Sequence, residues 1–89
     1  MSLIINQVFS DEKFNKSLFV KQFESSLVPS IGMELEDSIW DKPKKIKKIN
    51  INPGHNSYAL FVEDEFATKG ELQKITEKYK NNGWTVSKI

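Results

Sequence analysis

The stretch Thr68-Lys69-Gly70-Glu71 constrains this chain more than any other, because it carries the start of a helix in its own residue types. A threonine at N-cap can accept from the amide three residues on. A glutamate at that third position can reach back to the cap amide, so two orphan donors are satisfied reciprocally. Leu72, Ile75 and Tyr79 then recur on one face, while Lys74, Glu77, Lys78 and Lys80 turn mostly outward. Lys78 and Lys80 suit the negative end of the helix dipole, and Asn81-Asn82-Gly83 ends the helix, with Gly83 free to take a left-handed conformation. One apolar stripe on one short helix must be buried against something, and both flanks of this helix read as β-structure. The expected fold class is therefore α+β, one amphipathic helix packed on one face of an antiparallel sheet of four to five strands.

The strands follow from alternation and punctuation. Ser57 to Glu63 sets Tyr58, Leu60 and Val62 against Ala59 and Phe61, apolar on both sides, as a central strand requires. Asn52-Pro53-Gly54-His55-Asn56 is a turn signal that joins it to the run Lys44–Asn52 as a hairpin. In that run Ile49 and Ile51 share a face and Ile46 falls on the other, so a bulge near Lys47-Lys48 is expected to bring Ile46 into register. After the helix, Trp84 to Ile89 alternates, giving the order hairpin, helix, strand for the last third. Earlier, Leu3-Ile4-Ile5 with Val8-Phe9 suggests a short strand ending at Ser10-Asp11-Glu12, where a brief helical turn could carry Phe14. Ser17 to Leu27 reads as a strand buried on both faces, although Phe19, Phe23 and Leu27 also fit helical spacing. Val28-Pro29-Ser30-Ile31-Gly32 breaks it. Met33 and Leu35 open another strand towards Ile39-Trp40, and Asp41-Lys42-Pro43 makes the next turn.

A chain of 89 residues with no linker or repeat is expected to form a single domain, 1–89. Its ten aromatic rings, six Phe, two Trp and two Tyr, are enough to build one core without staples. There is no cysteine, which removes disulfides, thiol nucleophiles and cysteine zinc sites and suits a cytoplasmic location. No apolar run is nearly long enough to span a bilayer, so no membrane is expected as a partner. The 13 basic and 12 acidic side chains nearly cancel, and every basic one is lysine. The guanidinium fork that reads phosphate and guanine in pairs of hydrogen bonds is therefore missing.

The residue clusters offer little chemistry. Lys42, Lys44, Lys45, Lys47 and Lys48 form the most conspicuous group, and Trp40, Lys44, Lys45, Lys47 and Lys48 are the candidate binding residues. A nucleic-acid or anion patch is one reading; a lysine-protected edge strand is the favoured one, since a regular strand sends these charges to opposite faces. Glu63-Asp64-Glu65 with Glu34, Glu36 and Asp37 lacks the loop pattern of a calcium site, and no metal is expected. His55, the one histidine, sits in a turn without a nucleophile in a recognised setting. Trp84 is assigned to the core and Trp40 to a partly exposed contact. These features point away from an enzyme and from any cofactor. They point to a non-enzymatic binding or accessory module that meets a protein partner or a second copy of itself. Nucleic-acid or anion binding through Lys42–Lys48 is the alternative.

Overall fold

The computed structural model describes residues 1–89 and shows a small α+β domain in which one helix and one long connection cover the same face of a mixed sheet. The strands are β1 (Ser2–Ser10), β2 (Lys16–Glu24), β3 (Glu34–Leu35), β4 (Lys44–Lys45), β5 (Lys48–Asn52), β6 (Ser57–Phe61), β7 (Glu65–Phe66) and β8 (Thr85–Lys88), with helix α1 (Lys69–Lys80) between the last two. The main sheet has six strands in the order β5-β6-β1-β2-β8, and β7 extends the β6 side of β1; β3 and β4 form a separate pair.

The sheet is not fully antiparallel. β1 pairs antiparallel with β2 but parallel with β6 and β7. The reason lies in the connectivity: the chain leaves β2, travels through residues 25–47, and returns by the β5–β6 hairpin, whose second strand runs alongside β1. The N-terminal run, expected as a short strand, is a nine-residue strand at the centre of the sheet. Phe14 is not in a helical turn. Asp11 Oδ1 accepts from the amides of Lys13 at 2.8 Å and Asn15 at 3.0 Å, an Asx turn. Phe14 takes φ 63° in that turn and is 88% exposed.

β2 is a strand and not a helix, but only one of its faces is closed. Phe19 is fully buried, Leu18 and Val20 are half-buried, and Phe23 is exposed; Leu27 lies beyond the strand. The Lys44–Asn52 run breaks where the bulge was expected. Lys44 and Lys45 pair with β3, while Lys48 onwards pairs with β6. Ile46, between them, is 2% exposed, its amide donating to Met33 O at 2.9 Å. Ile46 and Ile49 pack in one cluster with Leu3 and Leu60, whereas Ile51 stays exposed. Ile39 and Trp40 sit in a turn closed by Trp40 N to Asp37 O at 3.0 Å rather than in a strand.

The helix forms as its sequence dictates. Thr68 and Glu71 make the complete capping box, Asn81 is the C-cap and Gly83 takes φ 89°. Glu12, from the β1–β2 turn, adds an acceptor 3.0 Å from the Lys69 amide, which ties the hairpin to the helix start. After Gly83 the chain reverses so tightly that Trp84 N donates to Tyr79 O at 3.1 Å, and the two rings pack edge to face at 5.0 Å. Tyr79 and Trp84 join Ile5, Phe9, Phe19, Ile39 and Ala67 in the larger core cluster, against which Leu72, Ile75, Val86 and Trp40 rest.

Candidate functional site

Two surfaces carry features the fold alone does not need: a cleft under the Trp40 turn, and the back of the sheet.

The cleft, about 690 Å³, has Trp40, Lys42, Lys44, Lys45 and Lys47 in its lining. Four of the five candidate binding residues, Trp40, Lys44, Lys45 and Lys47, are thus brought together. Lys48 is not, since its ammonium lies 5.3 Å from the Phe61 ring centre on the opposite side of the sheet. Glu34, Asp41, Glu63 and Glu65 line the same cleft and match the lysines charge for charge. Lys44 Nζ is 2.6 Å from Glu65 Oε1 and 5.6 Å from the Trp40 ring centre, so its charge is already engaged. The lysine group is a set of paired and interleaved charges, a poor anion trap.

Beneath Trp40 lies a polar chain that residue patterning did not reveal. Trp40 Nε1 donates to Tyr79 Oη at 3.1 Å, and Tyr79 donates its own proton to Gln7 Oε1 at 2.8 Å. An indole N–H can only donate, so this order fixes the Gln7 amide and leaves its Nε2 with no partner on a fully buried residue. Burial pushes the Tyr79 hydroxyl up to about 12; the Trp40 bond pulls against it and the Glu65 charge adds to it. Tyr79 is therefore a phenol at neutral pH and holds its proton for Gln7.

Asp37 anchors the turn that carries Trp40. Its Oδ2 meets Lys21 Nζ at 2.8 Å and its Oδ1 accepts from the Ile39 amide at 3.2 Å. The buried Trp84 indole N–H reaches no hydrogen-bond partner, yet it adds a weak pull on the Asp37 carboxyl. Burial alone would raise that carboxyl, but the Lys21 hydrogen bond, the Ile39 amide and the Lys21 charge bring it below the usual range. A carboxyl lowered in the folded state contributes stability above its unfolded pKa, and that contribution is lost as pH falls through the folded value. Asp11, Glu24 and Glu71 are lowered too, and act in the same direction. Thermal stability is expected to hold steady from pH 7 to 5 and to fall below about pH 4. Asp37→Asn should lower Tm at pH 7, by an amount reflecting roughly 1–2 kcal/mol for a charge-assisted bond, and flatten the acid limb. Melting curves across pH check both; an unchanged acid limb in Asp37→Asn would remove Asp37 from the account.

The second surface emerges from the strand registers. Residues opposite one another on paired strands share a face, and the face alternates along each strand. Leu3, Ile5, Gln7 and Phe9 of β1 point to the helix side. Ile4, Asn6 and Val8 point away, in rows with Gln22 and Ala59, with Val20 and Phe61, and with Leu18. Ile4, Val8, Leu18, Val20, Ala59 and Phe61 are each half-buried by their neighbours, and none belongs to either core cluster. Helix α1 and the residue 25–47 connection both lie on the other side. Lys48, Asn50, Thr85 and Ser87 flank the six apolar side chains on the outer strands. The signal for this face was present in the two-sided alternation of β2 and β6. It reads as burial on both sides because nothing in the sequence says that the helix and the connection both take the same side.

His55 lies in the exposed β5–β6 turn, its Nδ1 2.9 Å from the Asn52 side-chain nitrogen. No three His, Asp or Glu side chains come together to hold a metal ion, and no helix is long and apolar enough to cross a membrane. Comparison with protein-family models, curated proteins and solved structures finds no match.

Proposed function

We propose that this chain is a non-enzymatic binding module that acts through the uncovered face of its sheet, in the cytoplasm. The observation that carries the reading is the row of apolar side chains Ile4, Val8, Leu18, Val20, Ala59 and Phe61, contiguous across three neighbouring strands and outside both core clusters. A single sheet needs one apolar face to hold its helix; a second one marks a contact surface.

Side chains that serve binding rather than folding can be made polar at little cost. Leu18→Thr and Val20→Thr, measured at submicromolar concentration, are expected to change stability by less than about 1 kcal/mol each, within the range of surface substitutions. Both should also weaken the binding of a hydrophobic dye such as anilinonaphthalene sulfonate. Losses above about 2 kcal/mol per substitution, as in a core, would assign these residues to the fold and end the proposal.

The alternative, nucleic-acid or anion binding through Lys42–Lys48, has less support, since Glu34, Asp41, Glu63 and Glu65 interleave with those lysines and Lys48 points the other way. On the preferred reading a heparin column does not retain the protein at physiological salt. Salt-sensitive retention abolished by Lys44→Glu with Lys47→Glu would reverse the order.

A further inference from the structure

We infer that the outer edge of β8 accepts an extended acidic segment of another protein, which adds to the sheet as one more strand and lays its carboxylates over a lysine-lined groove beside helix α1. This surface is separate from the open face, and the inference does not rest on that face.

The first argument is the backbone. β8 ends the strand order and pairs only with β2. Ile89 N donates to Lys16 O at 3.0 Å, and in an antiparallel ladder every second residue exchanges such bonds. Ser87 and Thr85 therefore turn their backbone groups inward, to Leu18 and Val20, while those of Val86 and Lys88 point outward. No strand of the chain lies on that side to receive them. The side chains of Val86 and Lys88, opposite Phe19 and Ser17, stand on the helix side of the sheet.

The second argument is charge. A groove of about 410 Å³ runs between α1 and β8, with Leu72 and Val86 as its apolar part and Lys69, Lys80 and Lys88 as its only charged residues. In a chain with 13 basic and 12 acidic side chains, a groove without a carboxylate is a local excess of one sign. None of the three lysines makes an ion pair. Asp11 lies within reach of the Lys69 charge and Glu12 sits at the Lys69 amide, so that end is partly offset. Glu77, three residues before Lys80, neither lines the groove nor pairs with it. The unengaged charge is that of Lys80 and Lys88. The other edge offers no such match, since beside β5 Lys47 and Lys48 share their groove with Glu63 and Asp64.

A lysine on an edge strand guards it against pairing with copies of itself. β8 runs back along α1 after the tight turn at Gly83, so Lys80 stands at its start and Lys88 at its end. A second β8 paired antiparallel in register would bring Lys88 of each copy to the Lys80 end of the other, like charge against like. The same two places suit a strand that carries a carboxylate at each. Alternation then sets the pattern of that strand: its groove-side residues run acidic, apolar, acidic, with one residue between each, and the apolar one meets Leu72 and Val86.

The probe is a fluorescent, end-blocked peptide Glu-Thr-Val-Thr-Glu, titrated with the full chain. Weak, saturable binding is expected, and it falls as salt rises because the paired charges are exposed. Amide exchange read by nuclear magnetic resonance should be fast at Val86 and Lys88 in the free chain and slow at Thr85 and Ser87. With the peptide bound, all four should exchange slowly. Lys80→Glu and Lys88→Glu should each weaken binding roughly 3- to 10-fold, with the circular dichroism spectrum kept, and Leu18→Thr on the open face should leave it unchanged. Proline in place of the central valine of the peptide removes the donor to Val86 O and should abolish binding. Lysine in place of both glutamates should do the same.

Slow exchange at Val86 and Lys88 in the free, dilute chain would mean that the edge is not open and would overturn the inference. So would a probe that does not bind at millimolar concentration. Binding that survives the proline exchange would reduce the groove to a charged patch without strand pairing, and overturn it as well. Binding lost in Leu18→Thr but kept in Lys80→Glu would move the peptide to the open face, overturning the edge site and leaving the proposed binding face standing.

Discussion

Phe19→Ala is expected to leave much of the protein unfolded at room temperature, while Leu18→Ala, one residue away, leaves it folded. Phe19 is fully buried, with its ring 4.8 Å from Phe9 and 4.7 Å from Tyr79, so it joins the middle of the sheet to the end of the helix. Truncating such a ring costs about 3–5 kcal/mol through lost burial and the cavity left behind. A chain of 89 residues has a total stability of roughly 4–13 kcal/mol, with small domains near the lower end. The substitution therefore removes most of it. Leu18 points to the open face, where alanine still leaves a covered backbone and the loss is about 1 kcal/mol or less. Urea titrations followed by circular dichroism give both values. Similar losses for the two would mean that the back of the sheet is as closed as the front, and the face assignment would fail.

The contrast between these neighbours also marks what could be read without coordinates. The helix and its two caps were legible because capping is local chemistry: Thr68, Glu71 and Gly83 satisfy groups within a few residues of themselves. The β5–β6 hairpin and the break around Ile46 were legible for the same reason, one from turn residues and the other from a lost alternation. The parallel pairing of β1 with β6 was not, since it depends on where residues 25–47 carry the chain, and no local preference encodes that. The N-terminal strand was underestimated because Asn6 and Gln7 interrupt its apolar run, although both are buried.

The site was less legible than the fold. The lysines were conspicuous in the sequence, yet their meaning depended on which carboxylates came to lie beside them. Lys44 finds Glu65, twenty-one residues away, at 2.6 Å. Trp40 was assigned to a partly exposed contact; the structure makes it the lid of a buried polar chain as well. Gln7 belongs to no motif, yet a glutamine on the same strand face as Leu3, Ile5 and Phe9 is a polar group that the core must explain. That exception, rather than any charged cluster, was the signal available.

Gln7 and Tyr79 are expected to behave as a coupled pair. Tyr79→Phe removes one oxygen and leaves both the Gln7 Oε1 and the Trp40 N–H without their partner. Since Gln7 is fully buried, its amide then has neither end satisfied, and the loss should be about 2–4 kcal/mol. Gln7→Met is expected to cost much less, about 1 kcal/mol or nothing, because it also removes the orphaned Nε2 while filling similar volume. With Met at position 7, Tyr79→Phe should cost about 1 kcal/mol, only the half-buried Trp40 N–H being left to find water. The coupling of roughly 1–3 kcal/mol in this double-mutant cycle is the quantity to measure; additive losses would mean that the Tyr79–Gln7 bond contributes nothing. The alkaline limb gives an independent reading. The Tyr79 hydroxyl is raised from 10 to about 12, so its contribution is complete below pH 10 and is lost as pH rises through 12. A component of the tyrosinate absorbance that appears only near pH 12, together with unfolding, is expected in the unaltered chain. Tyr79→Phe, which keeps Tyr58 as its one tyrosine, should lack that component.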